Sequence, residues 1–93
     1  MNKGFEITSL KQKDIAEYFK SAPEWAQWLA KDRDGICYWF ENQPKYNKRG
    51  NWKDITPDGK VKLCGKTSLN TGKYLWSRDG KMVQGESYGR ASK

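Results

Sequence analysis

Ninety-three residues, 35% of them hydrophobic and 13 of them aromatic (five Trp, five Tyr, three Phe), suffice for one domain with a modest core. They are too few for the two-lobed clefts in which larger enzymes hold substrate and cofactor together. Eighteen Lys and Arg stand against eleven Asp and Glu, a formal net charge of +7, with no histidine and two isolated cysteines; histidine-bearing zinc sites, CxxC motifs and histidine-based acid–base or nucleophile arrangements are excluded by inventory.

In chain order, Met1–Ile7 reads as either an unstructured lead or a short edge strand. The period then becomes helical. Ile15, Ala16, Tyr18, Phe19 and Ala22 gather on one side of a wheel, with Lys11, Lys13, Asp14, Glu17 and Lys20 mostly on the other. Ser9 offers an N-cap, Gln12 three residues on completes a capping-box pattern, and Pro23 closes the segment. The expectation is an amphipathic helix over Leu10–Ser21.

Residues 24–31 carry both signals. Trp25, Trp28 and Leu29 are spaced as on a helix, but the run is short and leads through "KDRDG" into the strand-like "ICYWF". A hairpin is preferred, Ala26–Lys31 against Ile36–Glu41, turning through Asp32–Gly35. Two further Asp-Gly turns predict Trp52–Thr56 returning as Lys60–Cys64 around Pro57-Asp58-Gly59, and Lys73–Ser77 returning as Lys81–Gln84 around Arg78-Asp79-Gly80. The expected fold is α+β: one N-terminal helix on an antiparallel sheet of about five or six strands built from three hairpins, in a single domain spanning residues 1–93. Residues 1–7 and 85–93 are candidates for flexibility, the latter as a basic tail.

Strand alternation puts Trp28 and Ala30 on one face, as it does Ile36, Tyr38 and Phe40, with Cys37 and Trp39 pointing the other way. The first set is expected beneath the helix and Trp39 on the opposite face, its ring available to a partner. Trp28 is accordingly expected in the core.

Charge is unevenly distributed. Up to Pro44 there are six basic and seven acidic residues, net −1; from Lys45 onward there are twelve basic and four acidic, net +8. Such a half suits an anionic partner, and it equally suits a soluble basic surface with no such role. In the polar connection "NQPKYNKRGNW", Lys45, Lys48 and Arg49 flank Tyr46, an arrangement that grips phosphates while a ring stacks on a base, or that simply keeps a loop soluble. The candidate binding surface comprises Trp39, Lys45, Tyr46, Lys48, Arg49, Trp52, Lys53, Lys60, Lys62 and Lys66.

Catalytic signatures are lacking. "GKVKLCGKTS" imitates a phosphate loop, but five residues separate Gly59 from Gly65 where the pattern requires four. Cys37 reads as a small buried hydrophobe in a strand rather than a reactive thiol. Asp32 and Asp34, two apart in a turn, suit hydrogen bonds to the turn backbone better than a shared proton or a metal. No enzyme activity, cofactor or metal is expected. The first 30 residues contain no continuous apolar stretch, and no segment approaches the ~20 apolar residues that span a bilayer. A cytosolic chain with reduced cysteines and no membrane contact is therefore expected.

The pattern formed by Ala22, Pro23, Ala30, Asp32, Asp34, Gly35, Tyr38, Pro44 and Trp52 resembles one found in small uncharacterised accessory proteins of tailed bacteriophages, over about a third of the chain. The resemblance carries over no functional residues. It implies a setting, the cytoplasm of an infected bacterial host, and a mode of action, binding that inhibits or modulates a host or anti-phage defence component. Three forms stay open at this point: an inhibitor placed at a nucleic-acid or nucleotide site, a sequence-tolerant single-stranded nucleic-acid-binding protein, and a sponge for a nucleotide signal.

Overall fold

A computed structural model describes residues 5–6, 11–32, 35–47, 52–54, 58–66 and 73–86. In chain order these form β1 (Phe5–Glu6), α1 (Gln12–Tyr18, continued by a 3-10 turn at Phe19–Ser21), β2 (Trp28–Lys31), β3 (Ile36–Phe40), β4 (Lys45–Tyr46), β5 (Trp52–Lys53), β6 (Val61–Lys66), β7 (Lys73–Ser77) and β8 (Met82–Glu86). Six strands make one sheet in the order β1-β6-β3-β2-β7-β8, and β4 pairs with β5 in a separate ribbon. The α+β class is as the sequence predicts.

The helix forms where the apolar period places it, with Ile15 and Phe19 buried and Lys11, Lys13, Glu17 and Lys20 exposed. It starts later than expected. Lys11, with an extended backbone, occupies the N-cap and makes no side-chain cap bond. Gln12 is therefore the first helical residue rather than the third, and its side chain instead donates to the Asp79 carbonyl in the β7–β8 turn, 3.3 Å away. Ser9 lies outside the described residues.

Two hairpins match the sequence reading. β2 and β3 pair antiparallel with Leu29 opposite Trp39 and Ala30 opposite Tyr38, which resolves residues 28–31 as strand. β7 and β8 pair around the turn containing Gly80, whose φ of 86° suits glycine. The middle hairpin does not form. Trp52–Lys53 pairs backwards with Lys45–Tyr46, and Val61–Lys66 pairs with β3. Residues 41 and 60 remain adjacent, with Glu41 N–H donating to the Lys60 carbonyl at 2.9 Å, so β3 and β6 run as neighbours and the ribbon is an excursion between them. Turn chemistry at Asp58-Gly59 marked the place where the chain returns to the sheet, but not which strand it rejoins.

β1 is the edge-strand alternative for the N-terminus: it pairs with β6 in parallel, Phe5 opposite Gly65. Because β6 and β2 both run antiparallel to β3, β1 and β2 point the same way and α1 is the crossover between them. A crossover must pass over one face. That face carries Leu29, Cys37, Trp39, Cys64, Tyr74 and Trp76, packed with Ile15 and Phe19 of the helical segment. Gly85 and Glu86, expected in a tail, belong to β8.

This inverts the expected assignment of the two faces. Trp39 is 3% exposed, its ring 4.8 Å from that of Phe19, while Trp28 is only partly buried on the opposite side. Alternation correctly grouped the residues that share a side, but it carries no information on which side the crossover helix covers.

Candidate functional site

The face away from the helix holds Ala30, Phe40 and Leu75, with Trp28 and Tyr38 beside them. The ribbon folds back over part of it. Trp52 fixes the ribbon in place: its indole N–H donates to the Lys31 carbonyl at 2.9 Å, and its backbone N–H donates to Asp32 Oδ1 at 3.0 Å. Tyr46 meets Trp52 edge-on at 5.1 Å, and the Lys73 ammonium lies 4.0 Å from the Tyr46 ring centre. Tyr46 is thus engaged within the ribbon rather than presented as a stacking platform.

Where the ribbon ends, an open cleft of about 370 Å³ remains. Tyr38, Phe40 and Val61 of β3 and β6 form its floor, and Trp52, Lys53 and Asp54, with Asp32 beside them, form its ribbon side. Leu63 continues the apolar surface from Val61 beyond the cleft; Val61 and Leu63 lie opposite Phe40 and Tyr38 in the strand register and are about half exposed at 46% and 56%. Asp32, only 4% exposed, joins the cleft to the ribbon through the bond from Trp52, an attachment beyond the turn role read from the sequence. Gly59 lies close behind Asp54: a Cβ there would meet the end of the Asp54 side chain, which would have to shift to admit it.

The basic residues divide. Lys45 and Lys53 face each other across the ribbon and are both exposed, a like-charge pair that costs stability unless an anion relieves it. Lys53 also lines the cleft. Lys60 is exposed just before Val61. Lys62 is exposed too, but it lies opposite Trp39 in the register and so on the helix side of the sheet. Arg78 has a structural position, donating to the Ala26 carbonyl with its guanidinium 5.6 Å from the Phe19 ring centre. Of the candidate residues, Lys45, Tyr46, Trp52 and Lys53 are brought together; Trp39 and Lys62 are not. Lys48 and Arg49 lie outside the described residues, as does the side chain of Lys66.

The sequence reading missed Tyr38, Phe40, Asp54 and Val61 as cleft residues. A signal was available for two of them, since Tyr38 and Phe40 share a parity in "ICYWF". Asp54 and Val61 meet them only through the ribbon's return path.

Both cysteines are buried thiols on the helix side. Burial, and secondarily the neighbouring Cys37, pushes the Cys64 thiol far above its ordinary value, which makes it a poor nucleophile. Among the described residues no group of three potential metal ligands occurs and no helix is long and apolar enough to cross a membrane. Comparisons with protein-family models, curated proteins and solved structures find no match for this chain.

Proposed function

We propose that this chain is a non-enzymatic binding protein of the phage-accessory kind, which modulates a host or anti-phage defence component by holding a nucleotide or a single nucleic-acid strand. The observation that carries this reading is the opposed Lys45–Lys53 pair beside an open aromatic cleft. Rings give a face on which any base stacks, and paired ammonium groups give a seat for phosphate. The net charge of +7 adds long-range attraction for such a ligand.

The test follows Trp fluorescence as nucleotides and a mixed-sequence single-stranded oligonucleotide are added. Replacing Lys45 and Lys53 together with Ala is expected to weaken oligonucleotide binding and to flatten its salt dependence by up to about 0.7 per lost phosphate contact. Lys62→Ala, on the other side of the sheet, leaves binding unchanged. Equal losses from the two variants, or no binding of either ligand, overturn the reading.

A second reading, in which the partner is a protein, is favoured by β8. It is an edge strand of the sheet among the described residues, with Met82 and Val83 48% and 46% exposed, and such an edge pairs readily with a strand from another chain. Capture of a protein partner that survives nuclease treatment, without nucleotide binding by the isolated chain, selects this alternative.

A further inference from the structure

Resting on the second reading above, in which the partner is a protein, we infer that β8 takes up an extended peptide strand and selects one with an acidic side chain. Residues Lys81–Gly85 are all exposed, and β8 has β7 on one side and no described strand on the other. Its pairing with β7 is interrupted near Val83 and regular from Gln84 to Glu86, with Leu75 opposite Gln84 and Tyr74 opposite Gly85. An irregularity of this kind shields an edge from indiscriminate pairing. So short a regular stretch supplies few main-chain bonds, and a side-chain site must decide which strand stays.

Such a site adjoins the strand. Gln84 shares a face with Leu75, the face that the β4–β5 ribbon partly covers. Between Gln84 and the chain entering β4 there is an open pocket of about 370 Å³, lined by Gln43, Pro44, Lys45 and Gln84. A strand added beside β8 places one residue opposite Gln84, with its Cβ about 4.5–5.5 Å away on the same face, so that its side chain points to this pocket.

The chemistry of the pocket names that side chain. Lys45 only donates, the amides of Gln43 and Gln84 can each turn a donor inward, and no carboxylate is among the described residues that line the pocket. Lys45 stands opposite Lys53 across the ribbon, so a carboxylate beside it relieves a like-charge pair. On the other face of β8 the Met82 sulfur lies over Gly85, and Met82 is 48% exposed, which suits apolar residues at the alternate positions of the added strand.

A nucleic-acid strand meets the lysine but not the edge. The edge presents N–H and C=O groups in alternation, whereas a phosphodiester backbone offers acceptors and leaves the carbonyls unmatched. A second copy of the chain brings its own net charge of +7 against this one. An acidic extended peptide satisfies edge, pocket and charge together.

The experiment measures fluorescence polarisation of short labelled peptides on the full chain: alternating threonine and valine, with the central threonine replaced by glutamate, glutamine or lysine. The glutamate peptide is expected to bind about tenfold tighter than the glutamine one, and the lysine one more weakly still. Two further versions of the glutamate peptide carry N-methyl groups at alternate residues, one on each parity. Because an added strand turns only every second N–H toward its neighbour, one version keeps its binding and the other loses it. Lys45→Ala removes the glutamate preference while weak binding persists, and Lys62→Ala, on the helix side of the sheet, changes nothing. Equal affinity for the three side chains overturns the acidic assignment and leaves strand pairing standing. Equal binding of the two N-methylated versions, or no peptide binding, removes both. A chain that is dimeric by sedimentation and takes no peptide overturns the inference in favour of a second copy, and one that binds only a single-stranded oligonucleotide does so in favour of nucleic acid. The peptide ranking on the parent chain decides the matter even where a variant fails to fold.

Discussion

Tyr38 and Trp39 are neighbours in the chain and lie on opposite sides of the sheet, so their substitutions diverge. Trp39 fills the space between β3 and Phe19, and Trp39→Ala is expected to cost about 3–5 kcal/mol through lost burial and the cavity left behind. The urea-unfolding midpoint measures it, and a midpoint equal to the parent's would place the ring outside the core. Lys31 makes the same point about position outweighing residue type. It is wholly buried on the helix side, its ammonium donating to the Asp32 carbonyl at 3.3 Å and lying 5.6 Å from the Tyr74 ring centre. A lysine in "WLAKD" reads as a solvated strand end. Here strand parity puts it opposite Cys37 and Tyr74, and bonding at its tip offsets part of the cost of desolvation.

At the scale of elements, the helix and the β7–β8 hairpin are joined at one close approach. Gly80 packs against the first turn of α1, where an added Cβ would overlap the Gln12 carbonyl and meet the Ala16 backbone nitrogen at 3.0 Å. Its positive φ independently disfavours any other residue. Gly80→Ala is therefore expected to destabilise by about 1–3 kcal/mol for the backbone alone, and by more once the helix is displaced. Circular dichroism in urea reads this directly; a neutral substitution would mean that the hairpin and helix are not docked as described. The ribbon is held differently, by the two Trp52 N–H bonds and by ring contacts, with only two residues in each strand. Its placement over the sheet makes the cleft.

For the molecule as a whole, the thiols report on opening. Cys37 and Cys64 lie on adjacent strands of the sheet, 0% and 3% exposed, so a thiol reagent is expected to reach them only as fast as the sheet separates. Labelling of the native chain at pH 8 should be slow and should accelerate in step with unfolding as urea is added; rapid labelling in native buffer would contradict the burial. The raised Cys64 value also sets a sign. The folded chain keeps this thiol protonated while the unfolded chain ionises it near the ordinary value of about 8.5. Its stabilising contribution is thus complete below that pH and is lost progressively as pH rises above it, toward the folded value. Cys64→Val is expected to lose less stability between neutral and alkaline pH than the parent.

Local pattern determined much of this. The period of Ile15, Tyr18 and Phe19 made the helix, Asp-Gly turns with strand-forming flanks made two hairpins, and alternation in "ICYWF" grouped Tyr38 with Phe40 apart from Trp39. These are properties of residues a few positions apart, and short-range sterics and hydrogen bonding settle them. Three things were left to the tertiary structure: the face the helix covers, the partner of Trp52–Lys53, and the joining of Asp32 and Asp54 to Tyr38 and Phe40 in one cleft. Parity is symmetric between the two sides of a sheet. Only the path of the crossover between β1 and β2, and of the excursion between β3 and β6, breaks that symmetry, and both depend on contacts between residues far apart in the chain.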